Sequence, residues 1–413
     1  MFDLSSYNTF NLTVYAQAGR VINDLSDLQT PITDPYIILG GGSDVLFTED
    51  FAGTVLINRL QGINISKVSA SLADEAGDTS KESRDGAIAK LRAQALADAT
   101  SVASAASDAS GASAASDASG ASAASRAACA ASTASKASTL SAGASIGDAA
   151  DDYYLVRVGS GVMLDELISY LLNQGISGLE NLSLIPGTVG AAPIQNVGAY
   201  GVEIGDVLVA LEACDLRTGK IRRFARSECH FNYRYSIFKE PEYRHYFITE
   251  VTLALPCHFT PKQSYAGLQS NDFKDANAVR NRVIALRNDK LPNHKYVGNA
   301  GSFFKNPYID AAMASALQAE YGQVPLYPVS DEVYKVAAGW LIDKANCRGI
   351  KHGQVGTWGK QALVIVNLGG AKPHEIVALA KYICAEVKSK FSIDLVPEVR
   401  LYGKHGEQAW DQI

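Results

Sequence analysis

At 413 residues the chain is long enough for two or three domains, and an apolar share of 47% suits a globular protein. A formal net charge of −6 argues against a nucleic-acid binder, which would carry a basic patch or stripe, but leaves room for a local basic pocket. The N-terminal MFDLSSYNTF has neither a basic nor an apolar leader region, and no apolar run is long enough to span a bilayer, so a soluble cytoplasmic protein without membrane insertion is expected.

The first predicted element is a short apolar strand, Tyr36 to Leu39. It runs into Gly40-Gly41-Gly42-Ser43-Asp44 and then Val45-Leu46-Phe47. Three glycines let the backbone approach a ligand and turn its amides inward, as a pyrophosphate cradle requires. A glycine-rich turn between two strands reads equally well at this point. The run is not the GxGxxG dinucleotide fingerprint at a helix start. A further strand is predicted at Thr54 to Asn58.

From about Ser66 to Asp152 the composition turns to alanine and serine, with SDASGASAA at Ser107 to Ala115 and again at Ser116 to Ala124. Between Ala103 and Ala150 only Leu140 and Ile146 are large aliphatics, too few to offset the entropy of ordering the segment. Disorder is expected, apart from a marginal exposed helix carrying Ile88, Leu91, Leu96 and Val102. The stretch reads as a tethering tail or, more simply, as an expanded surface loop, since long loops cost little closure entropy. Its flanking strands, Thr54 to Asn58 and Tyr153 to Val158, then read as neighbours in one domain.

An amphipathic helix follows at Leu164 to Gln174, and then a second glycine-rich region, GLENLSLIPGTVGAAPIQNVGAYG, from Gly178 to Gly201. Its small residues, among them Gly187, Gly190, Ala191, Ala192, Gly198 and Gly201, leave little side chain to pack. A backbone lying against a large flat ligand explains that better than a loop packed on itself. NYRYSIFK, Asn232 to Lys239, then sets Arg234 between two tyrosines. NAGSFFKNP, Asn299 to Pro307, sets Ser302 behind a glycine. Helices are predicted over Val336 to Ala345 and from Pro373, where proline suits a first turn and Ile376, Leu379, Ile383 and Val387 form an apolar face. Strands are predicted at Ala362 to Asn367 and Ile393 to Val396, and PEVR, Pro397 to Arg400, places one carboxyl group at Glu398.

Cys129, Cys214, Cys229, Cys257, Cys347 and Cys384 form no CxxC pair and none brackets a histidine at zinc-ligand spacing. No metal site is expected, and scattered thiols suit a reducing compartment.

Taken in order, LGGGSD, GSG (Gly159 to Gly161), the Gly178 to Gly201 region, NYRYSIFK, NAGSFFKNP, AAGWLIDKA (Ala337 to Ala345) and PEVR resemble the UDP-N-acetylenolpyruvoylglucosamine reductase family. QSYAGLQ, Gln263 to Gln269, resembles the tyrosine loop of its type I subgroup. The likeness covers nearly the whole chain outside the Ala/Ser region. It implies an α+β fold: a vanillyl-alcohol-oxidase (PCMH) type FAD-binding fold of two subdomains plus a C-terminal α/β substrate-binding domain. The divisions implied are residues 1–65, then 152–291 completed by 392–413, and 292–391, with 66–151 inserted.

The activity implied is the NADPH-dependent reduction of UDP-N-acetylglucosamine enolpyruvate to UDP-N-acetylmuramate in bacterial peptidoglycan synthesis. Gly40, Gly41, Gly42, Ser43 and Asp44 are implied to wrap the FAD pyrophosphate. Ile185, Pro186, Gly187, Gly190, Ala191 and Ala192 are implied to line the flavin, with Tyr200 nearby. Two departures stand out: the family usually has asparagine at the position of Asp44, and some relatives have serines at Ala191 and Ala192. A carboxylate near a pyrophosphate is repulsive unless turned away or paired.

Hydride from the reduced flavin is expected at the terminal carbon of the enolpyruvyl group, so that negative charge develops beside its carboxylate. Arg234 resembles the cation that holds that charge, Glu398 a carboxylic acid that donates to it when burial beside a second carboxylate keeps it protonated, and Ser302 the general acid. Tyr265, Arg287, Lys290, Asn306 and Gln361 match positions expected to touch the nucleotide or phosphates. Taken singly, an arginine between tyrosines is more often a surface cation–π contact, and a Gly-Ser before two phenylalanines is usually a turn into core. Two rivals use the same residues differently: an oxidase of this flavoprotein class, and a flavin-free scaffold working through its Ala/Ser region.

Overall fold

In the computed structural model, residues 1–30, 32, 35–68, 152–263, 265, 267–269 and 273–413 are described. The repeats, the expected disorder and the helix expected around Ile88 to Val102 all lie outside the described residues.

The N-terminal segment builds a mixed sheet from β1 (Tyr15–Ile22), β2 (Tyr36–Leu39) and β4 (Phe51–Asn58), with Phe2–Asp3 on its edge. Between β2 and β4 runs the short β3 (Val45–Phe47). β4 lies between β1 and β2 and is parallel to both. That central place explains why FAGTVLIN is apolar almost throughout and does not alternate.

β5 (Ile63–Val68) opens a second, antiparallel sheet with β6 (Tyr153–Gly159), β7 (Leu208–Asp215), β8 (Lys220–Ala225) and β9 (Tyr246–Pro256), in the order β8-β7-β9-β6-β5. The partner of β6 is therefore β5, while β4, expected as a neighbour of β6 in one domain, lies in the same compact unit but in the other sheet. The reason is that INISKV alternates apolar and polar on a sheet edge, a weaker signal than the buried run of β4. The boundary expected at residue 65 falls inside β5. Val68 pairs directly with Tyr153, so the chain leaves and re-enters this sheet at facing positions. Helix α1 (Leu164–Asn173) packs Leu164, Leu167, Ile168 and Leu171 onto this sheet's core beside Val156 and Val158.

Helix α2 (Ala276–Lys290), N-capped by the Asp275 side chain, leads to β10 (Gly298–Ser302). A helix over Ala311–Tyr321 intervenes before the short α3 (Ala338–Lys344), which is shorter than the predicted Val336 to Ala345 because Val336 ends a strand. β11 (Val355–Trp358) and β12 (Gln361–Asn367) form an antiparallel sheet with β10, and α4 (Pro373–Phe391) covers it. Ile376, Leu379, Ile383 and Val387 are all fully buried, as their spacing requires.

The predicted strand Ile393 to Val396 is not regular strand. Its residues pair with no strand among the described residues and precede an isolated bridge between Pro397 and Phe304. Regular pairing starts at β13 (Arg400–Gly403), which is parallel to β3 and antiparallel to β14 (Gly406–Gln408). The C-terminus thus returns to the N-terminal segment and not to the five-stranded sheet. One core accordingly holds Phe10 and Phe47 together with Phe303, Phe304, Leu395 and Leu401. Each fully buried phenylalanine contributes about 2–3 kcal/mol.

Candidate active site

The glycine run after β2 meets the second glycine region backbone to backbone. A Cβ on Gly41 would stand 2.7 Å from the Cα of Gly187, and one on Gly42, at φ +63°, would collide with the carbonyl of Tyr7. Only glycine permits either approach. Ser43 Oγ donates to the Pro186 carbonyl at 3.2 Å and ties the two loops together. Between them opens a cleft with about 1290 Å³ of empty space, its mouth included, lined by Gly40 to Asp44, Pro186, Gly187, Gly190, Ala191 and Ala192. Thr188 Oγ1 and Gln195 Oε1, both in this lining, are buried and lack a hydrogen-bond partner within the described structure. Bare backbone, small side chains and unspent polar atoms fit a large ligand with a polar edge, as FAD has. Gly41→Val should therefore leave folded protein with little bound flavin, read as flavin absorbance per protein after purification.

A second cleft, with about 670 Å³ of empty space, is lined by Arg234, Ser302, Glu398 and Arg287, and by Ile185. Ser43, Asp44, Pro186, Gln195 and Val197 line both clefts, so the two meet. The three residues singled out as catalytic come together although they lie far apart in sequence.

Ser302 ends β10 just after Gly301, which adopts φ +71° while its amide donates to Asn299 Oδ1 at 3.0 Å. The register with β12 slips between Asn299 and Ser302, and such a bulge re-aims the side chain. Asn299 is buried and also donates to the carbonyls of Val297 (2.8 Å) and Pro292 (3.3 Å). Asn299→Ala should cost about 2 kcal/mol in denaturant unfolding, because several buried partners lose their bonds together.

Beyond Ser302 the chain runs antiparallel to PEVR: the Glu398 amide donates to the Phe303 carbonyl at 2.8 Å, and that of Lys305 to Val396 at 3.0 Å. These bonds set the carboxyl of Glu398 beside the serine. Arg234 sits in a tight turn closed by reciprocal 3.1 Å bonds between Asn232 and Tyr235. Its φ of +52° is strained for a residue with a Cβ, at a cost of about 1–3 kcal/mol. Arg234 Nε donates to Glu398 Oε1 at 2.7 Å, and Nη2 donates to the Gly198 carbonyl at 3.0 Å. The expected cation–π contact exists as well, with the guanidinium 5.2 Å from the Tyr233 ring centroid, but the ion pair sets its direction.

Asp44 faces this group. Burial, and next to it the charge of Glu398, push its carboxyl up to about 8, against the pull of Lys239, Arg400 and Arg234. The carboxyl raised here is thus that of Asp44, while Glu398, expected as the donor, accepts from Arg234.

The remaining expected residues divide. Tyr200 does not line the first cleft: its ring packs edge-on against Tyr265, centroids 4.9 Å apart, and its hydroxyl bonds Arg287. Burial holds the Arg287 guanidinium below its usual range, and its Nε has no partner within the described structure. Lys290 is exposed at the end of α2. Asn306 accepts from the Ala338 amide at 2.9 Å, and Gln361 from that of Leu363 at 3.3 Å. Neither lines the second cleft.

Sequence reasoning missed Thr188, Gln195, Arg244, Arg400 and Glu407, all in the lining of the first cleft. Arg400 grips Glu407 with two bonds of 3.1 and 2.6 Å. Its place inside PEVR was the available signal.

Residues 292–402 match the family model of the UDP-N-acetylenolpyruvoylglucosamine reductase C-terminal domain, and residues 139–225 match an FAD binding domain. The chain is 33% identical over 407 residues to UDP-N-acetylenolpyruvoylglucosamine reductase of Bacteroides fragilis, covering 96% of this chain and 98% of that one. To the Escherichia coli enzyme of the same name it is 34% identical over 412 residues, covering 98% and 96%. The crystal structure of UDP-N-acetylenolpyruvylglucosamine reductase from Thermus caldophilus superposes with a TM-score of 0.53 at 20% identity, over 96% of each chain, a likeness of fold. Among the described residues, no helix is long and apolar enough to cross a membrane.

Proposed function

The chain belongs to the UDP-N-acetylenolpyruvoylglucosamine reductase family, and from that premise we propose that NADPH and UDP-N-acetylglucosamine enolpyruvate use the second cleft in turn. The protein is an FAD-binding oxidoreductase of peptidoglycan precursor synthesis, with the expected α+β flavoprotein fold. The cytoplasm is the compartment in this reading. The observation that carries it is the meeting of the two clefts at Ser43, Asp44, Pro186, Gln195 and Val197, with Ser302, Arg234 and Glu398 around the second.

Bound FAD, once reduced, supplies hydride. The chain's own side chains do the rest. Glu398 fixes one edge of the Arg234 guanidinium and leaves the remaining N–H groups for the carboxylate of the enolpyruvyl group. Charge developing beside that carboxylate is held by a cation that is already in place, in a water-poor cleft. Ser302 holds a proton at Oγ and gives it to the carbon that has become basic. A hydroxyl is a weak acid, but a carbanion is a strong enough base to take its proton. Arg287, with one nitrogen unspent, is the leading phosphate ligand, and Tyr265 flanks it through Tyr200. Lys290, Asn306 and Gln361 belong to the same substrate-side proposal.

The proposed divisions are a first FAD subdomain in the N-terminal segment, a second around the five-stranded sheet, and a substrate domain at 292–391. Stopped-flow flavin absorbance tests the activity. NADPH should bleach the flavin anaerobically, and the enolpyruvyl UDP-sugar should restore it. Bleaching by a small alcohol and not by NADPH would favour the oxidase.

Because Val68 and Tyr153 are paired neighbours, the segment between them joins two strands that already face each other. Deleting residues 103–150 should leave turnover within about twofold of the full chain, since shortening a long connection between paired strands changes closure entropy little. Loss of turnover in a well-folded deletion would give the segment a working part.

A further inference from the structure

Asp44 stands where the two clefts meet and lines both. Its backbone is fixed: the Arg400 amide donates to its carbonyl at 3.1 Å, and the next residue begins β3. On its N-terminal side are the bare amides of the glycine run, which favour a phosphate. Across from it is Glu398, already in an ion pair with Arg234. The charged groups around the Asp44 carboxyl are Glu398, Lys239, Arg400 and Arg234, with Lys305 behind Lys239, Glu407 on Arg400 and the Tyr402 hydroxyl alongside. Among the described residues none donates a hydrogen bond to that carboxyl. A carboxylate ion held between Glu398 and the phosphates of FAD meets like charge on both sides.

We infer that Asp44 is a binding residue of the cofactor site, engaging bound FAD as a neutral carboxylic acid that donates a hydrogen bond at the junction of the clefts. The inference rests on the first cleft being the FAD site. The electrostatics agree with it. Burial and the charge of Glu398 raise the Asp44 carboxyl to about 8. Burial and the charge of Lys305 bring Lys239 down to about 8. The sign follows directly. The acid form is the one that binds, so FAD affinity is full below about pH 8 and falls as pH rises through it. Loss of the Lys239 charge over the same range acts in the same direction.

The test is FAD release from diluted holoenzyme, followed by recovery of flavin fluorescence between pH 6.5 and 9. The wild-type Kd should rise by about tenfold over that range, one unit beyond the midpoint. Asp44→Asn, the same shape without the titrating proton, should keep only the smaller fall that Lys239 contributes, less than about threefold over the same range. If Asp44→Asn repeats the wild-type profile, or if the wild type alone binds FAD equally at both ends, the role given to Asp44 is overturned. A wild-type protein that holds no FAD at any pH overturns the assignment of the cleft itself, a distinguishable result.

Discussion

Ser302→Ala should leave flavin reduction by NADPH nearly unchanged and slow reoxidation by the enolpyruvyl UDP-sugar by about 10²- to 10⁴-fold, the range that a positioned general acid supplies. The split follows from where the hydroxyl sits. It ends β10, directed by a bulge and the Gly301 turn, on the cleft that also holds Arg234 and Glu398. The side chain is exposed to that cleft and spends no hydrogen bond on the fold, so its removal should not move the denaturation midpoint. Single-mixing traces with each substrate separate the half-reactions. Equal slowing of both would show that the hydroxyl shapes the cleft and handles no proton. Ser302→Cys, which restores a proton donor, should recover part of the lost rate.

Arg234→Lys should cost about 10²- to 10³-fold in the same half-reaction, close to the loss of one preorganised donor at a developing anion. Arg234 bridges Glu398, the Gly198 carbonyl and the open cleft at once. An ammonium group is a single point and cannot hold both existing partners while presenting two parallel N–H groups to a carboxylate. The damage should appear in the rate of flavin reoxidation and in KM for the UDP-sugar, with NADPH bleaching preserved. A near-normal rate with lysine would reduce Arg234 to a generic positive charge.

Much of this arrangement was legible in the chain. β2, β3, β12 and α4 lie where periodicity and the proline at position 373 put them, because each is bounded by local chemistry. The residues that meet in the second cleft were legible too, but only as ordered motifs. No local pattern says that Phe303 will bond to the backbone of Glu398. What stayed hidden was pairing set by distant partners. β5 was passed over because its edge position asks for little hydrophobicity. The return of β13 to β3 depends on a core shared between Phe47 and Leu401, invisible until both ends are folded. The contacts of Tyr200 were hidden for the same reason: its ring and hydroxyl meet Tyr265 and Arg287, both far along the chain. Asp44 was noticed as an oddity, yet the four charged groups around it come from two stretches far along the chain.

The facing pair Val68 and Tyr153 carries a practical consequence. Six ladder positions, from Ile63 opposite Val158 to that pair, hold the two sides of the interruption together. A protease that nicks the polypeptide between them would yield fragments that stay zipped, migrating as one particle until denatured. The seam is therefore a natural port: a cleavable tag or a fluorescent reporter spliced there would ride on the enzyme without touching its chemistry.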